Sequence, residues 1–264
     1  MKKINPNILL YISFLLIYVG LFSQNLSLYE KHVFISGKDT LVYRLLSPKD
    51  YNSKKSYPLH LFLHGVGERG NDNEKQLVHG SKLFLKKNNR EKFKSWVVFP
   101  QCDLKSQWAD MSFNPDDKES LFKNNNGLDT SNSLNLVIKL MDSLVDLNNV
   151  NKNKVYVSGL SMGGMGTFEI LFRRPSMFAA ATPICGDGRI ETVPFFAKQT
   201  PIWIFHGSDD RVVHPKYSLK MANAIIENGG SPKITFYENV GHDSWNNAFE
   251  EIDFLKWIHS KSKK

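Results

Sequence analysis

Cysteine is scarce in this chain. Of 264 residues only Cys102 and Cys185 carry a thiol, so the multi-disulfide framework that staples small secreted domains is excluded. A long apolar run is also missing. The most hydrophobic stretch, Ile8 to Phe22, falls short of the roughly 20 residues that a bilayer span needs, which argues against a retained anchor. No cysteine lies near it, so lipid attachment through an N-terminal Cys is not available. Basic blocks interleaved with aromatics are lacking as well. The formal charge is +8, from 34 Lys and Arg against 26 Asp and Glu. The positive residues are scattered (Lys54-Lys55, Lys86-Lys87, Arg173-Arg174, Lys261 to Lys264), a pattern of solvated surface that does not point to nucleic acid. No spacing of His, Cys, Asp and Glu suggests a metal cluster, no cofactor is implied, and neither an internal repeat nor a dividing linker is visible.

What is present begins with an export pattern. Lys2 and Lys3, the apolar stretch and then Ser23-Gln24-Asn25 follow the layout of a secretory signal. Residues 1 to 24 are therefore expected to be cleaved, leaving 25 to 264 as one exported domain, periplasmic or extracellular, with no stable membrane insertion. Past the signal, the hydrophobic period switches repeatedly between two and about 3.6, which argues for a mainly parallel sheet covered by helices.

The expected strands are a leading hairpin, Lys31 to Gly37 and Thr40 to Ser47, turned at Gly37-Lys38-Asp39. Further strands are expected at Leu59 to His64, Trp96 to Pro100, Lys154 to Ser158, Phe178 to Ile184, Ile202 to Phe205 and Lys233 to Tyr237. Leu134, Val137, Ile138, Met141 and Val145 share one helical face, with N-caps on offer at Asp129 to Ser131. Trp245, Phe249, Ile252, Leu255 and Ile258 predict a second amphipathic helix. Residues 101–127 are polar and too long for a simple connection, so a functional loop or lid is expected there.

One short stretch carries chemistry. Gly159-Leu-Ser161-Met-Gly163 matches G-x-S-x-G between a strand and a helical pattern, the context of a nucleophile elbow. A serine on so sharp a turn takes a strained backbone, and side chains at the flanking positions would collide with neighbouring chain. Its hydroxyl needs a base, normally an imidazole oriented by a carboxylate. Downstream, His206-Gly-Ser-Asp209-Asp210 runs from a strand into a turn with two carboxylates, and Gly241-His242 follows the last strand. His242 is the candidate base. Asp210 is the candidate acid, with Asp209 as its rival. Asp187 follows an earlier strand and is read as a turn residue. His64 and His206 precede glycines at strand ends and are read as structural, and His32, His60, His79, His214 and His259 sit in no motif.

Elbow, acid and histidine in this order resemble the α/β-hydrolase superfamily over about residues 30 to 260. The resemblance implies a mainly parallel sheet of about eight strands flanked by helices on both faces. It also implies a His-Gly-x-x-Asp acid, which falls on Asp210. Two backbone N–H groups are then expected to hold the oxyanion, that of Met162 after the nucleophile and that of Val66 in His64-Gly65-Val66-Gly67. The longer string Leu63 to Asn73, with Phe99-Pro-Gln-Cys102 and Trp108, resembles a narrower branch of secreted carboxylesterases, dienelactone-hydrolase-like, feruloyl-esterase-like or peptidase-like.

The resemblance therefore implies a serine esterase acting on small or carbohydrate-linked esters, with a prolyl-oligopeptidase-like peptidase or a silent binding module as alternatives. Gln101, Trp108 and Trp245 are expected on loops near the triad as a substrate wall. The superfamily's strand order puts the ends of the Trp96 and Phe178 strands about 14 Å apart. Two free thiols are therefore expected at Cys102 and Cys185, a disulfide needing Cα atoms within roughly 7 Å.

Overall fold

The computed structural model describes residues 25–110 and 131–263. The expected signal at 1 to 24 lies outside the described residues, as do positions 111–127 of the expected lid.

Eight strands form one sheet among the described residues: β1 Tyr29–Ser36, β2 Asp39–Leu46, β3 Tyr57–Leu63, β4 Trp96–Pro100, β5 Val150–Leu160, β6 Ala180–Ile184, β7 Trp203–Gly207 and β8 Lys233–Tyr237. Their order is β1-β2-β4-β3-β5-β6-β7-β8. The hairpin β1-β2 is antiparallel and turns at Gly37, whose φ of 64° suits glycine. β2 also runs antiparallel to β4. From β4 to β8 every pairing is parallel. That direction matters for function, because it brings the carboxyl ends of β3 and β5 to β8 to one edge of the sheet, where ligands bind in open α/β folds.

The helices are α1 Ser81–Leu85, α2 Lys87–Lys92, α3 Asn132–Val145, α4 Met162–Arg173, α5 Lys216–Glu227, α6 Trp245–Glu250 and α7 Phe254–His259. Two apolar layers sandwich the sheet. On one face Leu134, Val137 and Met141 of α3, Phe168 and Leu171 of α4, and Met221 and Ile225 of α5 pack on Leu61, Val157 and Ile204. On the other face Leu83 and Phe84 of α1, Ala248 of α6, and Phe254, Leu255 and Ile258 of α7 pack on Phe62, Phe99 and Phe205. Burial from both sides explains why β3 and β6 read as continuous apolar runs and not as alternation.

α3 opens as expected at a cap: the Ser131 hydroxyl oxygen accepts the Leu134 N–H at 3.2 Å. The C-terminal pattern needs correction. The stretch from Trp245 to Ile258 is two short helices, because Glu251 takes an extended ψ of 121° and breaks the first one. Ile252 in the break is 96% exposed, and not part of a buried face. The bend lets Phe249 and Phe254 meet edge to face, 6.1 Å between centroids. α5 has a readable apolar period (Tyr217, Met221, Ala224, Ile225) that the strand and turn signals around it had overshadowed. Among the described residues no helix is long and apolar enough to cross a membrane.

Candidate active site

Ser161 sits between the last residue of β5 and the first of α4. Its φ of 53° and ψ of −118° place a side-chain-bearing residue in sparsely populated territory, worth about 1 to 3 kcal/mol of strain. Surrounding structure holds it there. The Ser161 N–H donates to Ile184 O at 2.9 Å, and its carbonyl accepts the Met165 N–H at 3.0 Å. The two motif glycines explain themselves by contact. A Cβ at Gly159 would lie 2.1 Å from Gly163 O, and one at Gly163 would lie 2.0 Å from Leu63 O. Backbone passes too close at both positions for any side chain.

The structure brings Ser161, His242 and Asp210 into a single file. Ser161 Oγ lies 2.9 Å from His242 Nε2, and His242 Nδ1 lies 2.7 Å from Asp210 Oδ2. Asp210 only accepts, so His242 donates through Nδ1 and leaves Nε2 free to take the serine proton. Asp210 is 2% exposed. Burial pushes its carboxyl up, but hydrogen bonds from His206, His242 and the Val213 N–H outweigh that and hold it below the usual carboxylate range. Asp209 is exposed and its side chain accepts from Ser208, so it is not the carboxylate on His242. Asp187 is buried against Lys220 Nζ at 3.1 Å and does not join the file either.

Met162 opens α4, so its N–H belongs to the helix's first turn and has no intrahelical acceptor. Val66 stands in a one-turn 3-10 helix, Val66–Glu68, directly after Gly65. Gly65 lies against the nucleophile: a Cβ there would be 3.8 Å from Ser161 Cβ.

Gln101 and Trp108 are not wall residues. Gln101 is 2% exposed. Its side-chain amide donates to Glu68 O at 3.1 Å and Asp72 Oδ1 at 3.0 Å, and its Oε1 accepts the Asn73 N–H at 2.7 Å, so it ties down the Val66 loop. Trp108 is fully buried, its indole N–H donates to His64 O at 2.9 Å, and its Cβ would meet a Cβ on Gly166 at 2.4 Å. Both stand below the site, where the loop folds back into the core. Trp245 does reach the site, packed edge to face on His242 at 5.4 Å and tilted on His79 at 5.2 Å.

His64 has the structural part expected of it. Its Nδ1–H donates to Gly65 O at 2.6 Å and Nε2 accepts the Cys102 N–H at 2.9 Å. Burial pushes its imidazole down to about 4, so it stays neutral. Both cysteines are free and buried, in keeping with the strand spacing. Burial raises the Cys102 thiol to about 11 and the Cys185 thiol further still. Cys185, Asp210 and His242 are a possible set of metal ligands among the described residues, within 4.8 Å of one another. The thiol stays protonated, and the other two members are already bonded to each other.

Sequence reading did not connect Asp210 to His206, nor His206 to Ser218. His206 Nε2 is 3.2 Å from Asp210 Oδ2, and Ser218 of α5 contacts His206 Nδ1 at 2.7 Å. The four-residue step from His206 to Asp210 was the available signal.

Comparisons with known proteins agree with this architecture. Residues 51–259 match the family model described as Phospholipase/Carboxylesterase. The chain is 26% identical over 226 residues to Carboxylesterase SOBER1 of Arabidopsis thaliana, covering 77% of this chain and 90% of that protein. It superposes on a thermostable esterase with a TM-score of 0.81 and 32% identity, over 90% of this chain and 64% of that one. A CE1 ferulic acid esterase from Anaeromyces mucronatus, solved with ferulic acid, shares the fold at a TM-score of 0.63 and 14% identity, over 88% of this chain and 90% of that one. The chain thus belongs to the Phospholipase/Carboxylesterase family of α/β-hydrolases and is a carboxylic ester hydrolase.

Proposed function

We propose that this is an exported serine esterase that works through an acyl-enzyme, with Ser161 as nucleophile, His242 as base and Asp210 as the acid that orients it. The observation that carries this reading is the hydrogen-bonded file Ser161–His242–Asp210, at 2.9 and 2.7 Å, on a strained turn. His242 takes the Ser161 proton as Oγ attacks the ester carbonyl, then returns it to the leaving alcohol. The N–H groups of Met162 and Val66 stabilise the oxyanion, and each such donor is worth about 2.7 to 4 kcal/mol of barrier. Water then attacks the acyl-enzyme by the same route in reverse.

The substrates proposed are acetyl or feruloyl esters of polysaccharides. Support comes from the export pattern at the N-terminus, from the Trp245 ring beside His242, and from the fold shared with the ferulic acid esterase. Acetylated xylan, methyl ferulate and a matched amide, each assayed with the wild-type chain and with Ser161→Ala, test the reading. Hydrolysis of the esters that disappears in Ser161→Ala is expected. Turnover that survives the substitution, or that favours the amide, overturns it.

A further inference from the structure

Asp210 is held by more than His242. Its Oδ1 accepts the N–H groups of Val212 at 2.8 Å and Val213 at 2.9 Å, and its Oδ2 accepts from His242. On the other side of that same Oδ2, at 3.2 Å, stands the Nε2 of His206, a residue fully buried at the end of β7. His206 Nε2 is also 2.7 Å from Val213 O. A carbonyl and an ionised carboxylate can only accept, so Nε2 must carry the proton. In the neutral ring Nδ1 is then bare, and the buried Ser218 hydroxyl gives its one proton to it at 2.7 Å in preference to Gly186 O at 3.3 Å. Both ring nitrogens are therefore assigned: Val213 O and Asp210 Oδ2 set the tautomer, and Ser218 of α5 holds the other nitrogen.

We propose that His206, locked by Ser218, is a positioning residue for the triad. Its N–H straddles Val213 O and Asp210 Oδ2, which closes the Asp210 to Val213 turn and fixes where Oδ2 meets His242. Without His206 the two N–H bonds would still hold Oδ1, but Oδ2 would lose its second anchor and its aim at His242 Nδ1. The consequence falls on the transition state, when His242 becomes an imidazolium and the bond to Asp210 tightens. Substrate binding does not use that bond. The expected signature is thus a fall in kcat with KM unchanged.

This inference rests on the proposed serine-esterase reading, and the experiment separates the two. Wild type, Ser161→Ala, His206→Leu, His206→Gln and Ser218→Ala are compared on a simple aryl acetate, with fluorophosphonate labelling of Ser161 and Tm as parallel measurements. His206→Leu is expected to lower kcat by about 10- to 100-fold, the scale on which loss of an orienting outer partner is felt, with KM within about twofold. His206→Gln, whose amide N–H reaches nearly as far as Nε2, should recover most of that loss. Ser218→Ala, a small change that keeps the fold even if His206→Leu does not, should lower kcat by a smaller factor with KM unchanged.

A folded His206→Leu or Ser218→Ala chain with wild-type kcat and labelling rate overturns the positioning role alone. So does a loss that glutamine fails to recover, or one that appears in KM. A wild-type chain that neither turns over the acetate nor takes up the probe overturns the esterase reading, and the positioning role with it.

Discussion

Two serine–histidine pairs stand three residues apart along the same strand and its turn, and their surroundings are opposite. Ser158 Oγ is 2.7 Å from His60 Nε2, across β5 and β3, and also contacts Thr182 on β6. Ser161 Oγ is 2.9 Å from His242 Nε2. By distance alone the two are alike. The first pair lies wholly inside the sheet: both residues are fully buried, and burial drives the His60 imidazole down to about 3. No carboxylate bonds to His60 among the described residues; its Nδ1 has no hydrogen-bond partner. The second pair lies at the carboxyl edge on a positive-φ turn, with Asp210 behind the histidine and the loop bearing Val66 in front. A serine–imidazole hydrogen bond is thus not enough. On the proposed reading, access, an orienting carboxylate and an oxyanion site separate a reactive pair from a packed one.

Deleting each hydroxyl separates the two pairs most strongly. Ser161→Ala is expected to lower kcat for an aryl acetate by about five to six orders of magnitude with Tm unchanged. Ser158→Ala should do the reverse, lowering stability by about 1 to 3 kcal/mol because His60 and Thr182 lose a buried partner. Its kcat/KM should remain within about threefold of wild type, since no step of the reaction reaches it. Kinetics and denaturant melts on the two variants check both halves.

Next in size is the turn itself. Gly163→Ala forces a Cβ to 2.0 Å from a backbone carbonyl that cannot step aside, and is expected to cost more than about 3 kcal/mol, beyond the usual range for overpacking. Soluble yield and Tm report it. By contrast Gly67→Ala, where nothing lies within 4 Å of the new Cβ, should fold normally.

The two pairs also differ in how the fold responds to acid. An unfolded histidine binds its proton near pH 6.5, whereas His60 in the fold does so only near 3. Between those values the unfolded state holds more protons. The stability His60 confers is therefore full above about pH 6.5 and drains as the pH falls toward 3. Asp210, held low by its hydrogen bonds, adds a loss that begins only below about pH 4. Tm should fall across pH 6.5 to 4, where His64 and His259, both pushed down to about 4 by burial, add to the loss, and His60→Gln should make that slope shallower while Asp210→Asn should not. The smallest effect is expected from Gln101→Ala. It frees the Val66 loop from its tether, and should lower kcat by roughly tenfold or less, the scale of an indirect loss at an oxyanion donor.

Sequence patterns located β4 and β8 to the residue and the leading hairpin nearly so, because alternation and turn chemistry are local properties. They misjudged the C-terminal helix, since an apolar period cannot tell one helix from two that meet at a bend. Gln101 and Trp108 look like substrate contacts in the sequence because polar and aromatic residues near a motif suit both a wall and a foundation. Only the hydrogen bonds from Gln101 to Glu68, Asp72 and Asn73, and from Trp108 to His64, tell these apart.

Contiguous residues specify the set of groups and their order: a serine between glycines, then an acid, then a histidine, each at a strand end. Those are local demands of a sharp turn and a parallel sheet, written in contiguous residues. Which carboxylate faces His242, which of the two serine–histidine pairs stands at the carboxyl edge of the sheet, and the place of His206 behind Asp210 are settled by packing. These depend on angles and distances between segments tens of residues apart, set by packing that no local pattern encodes.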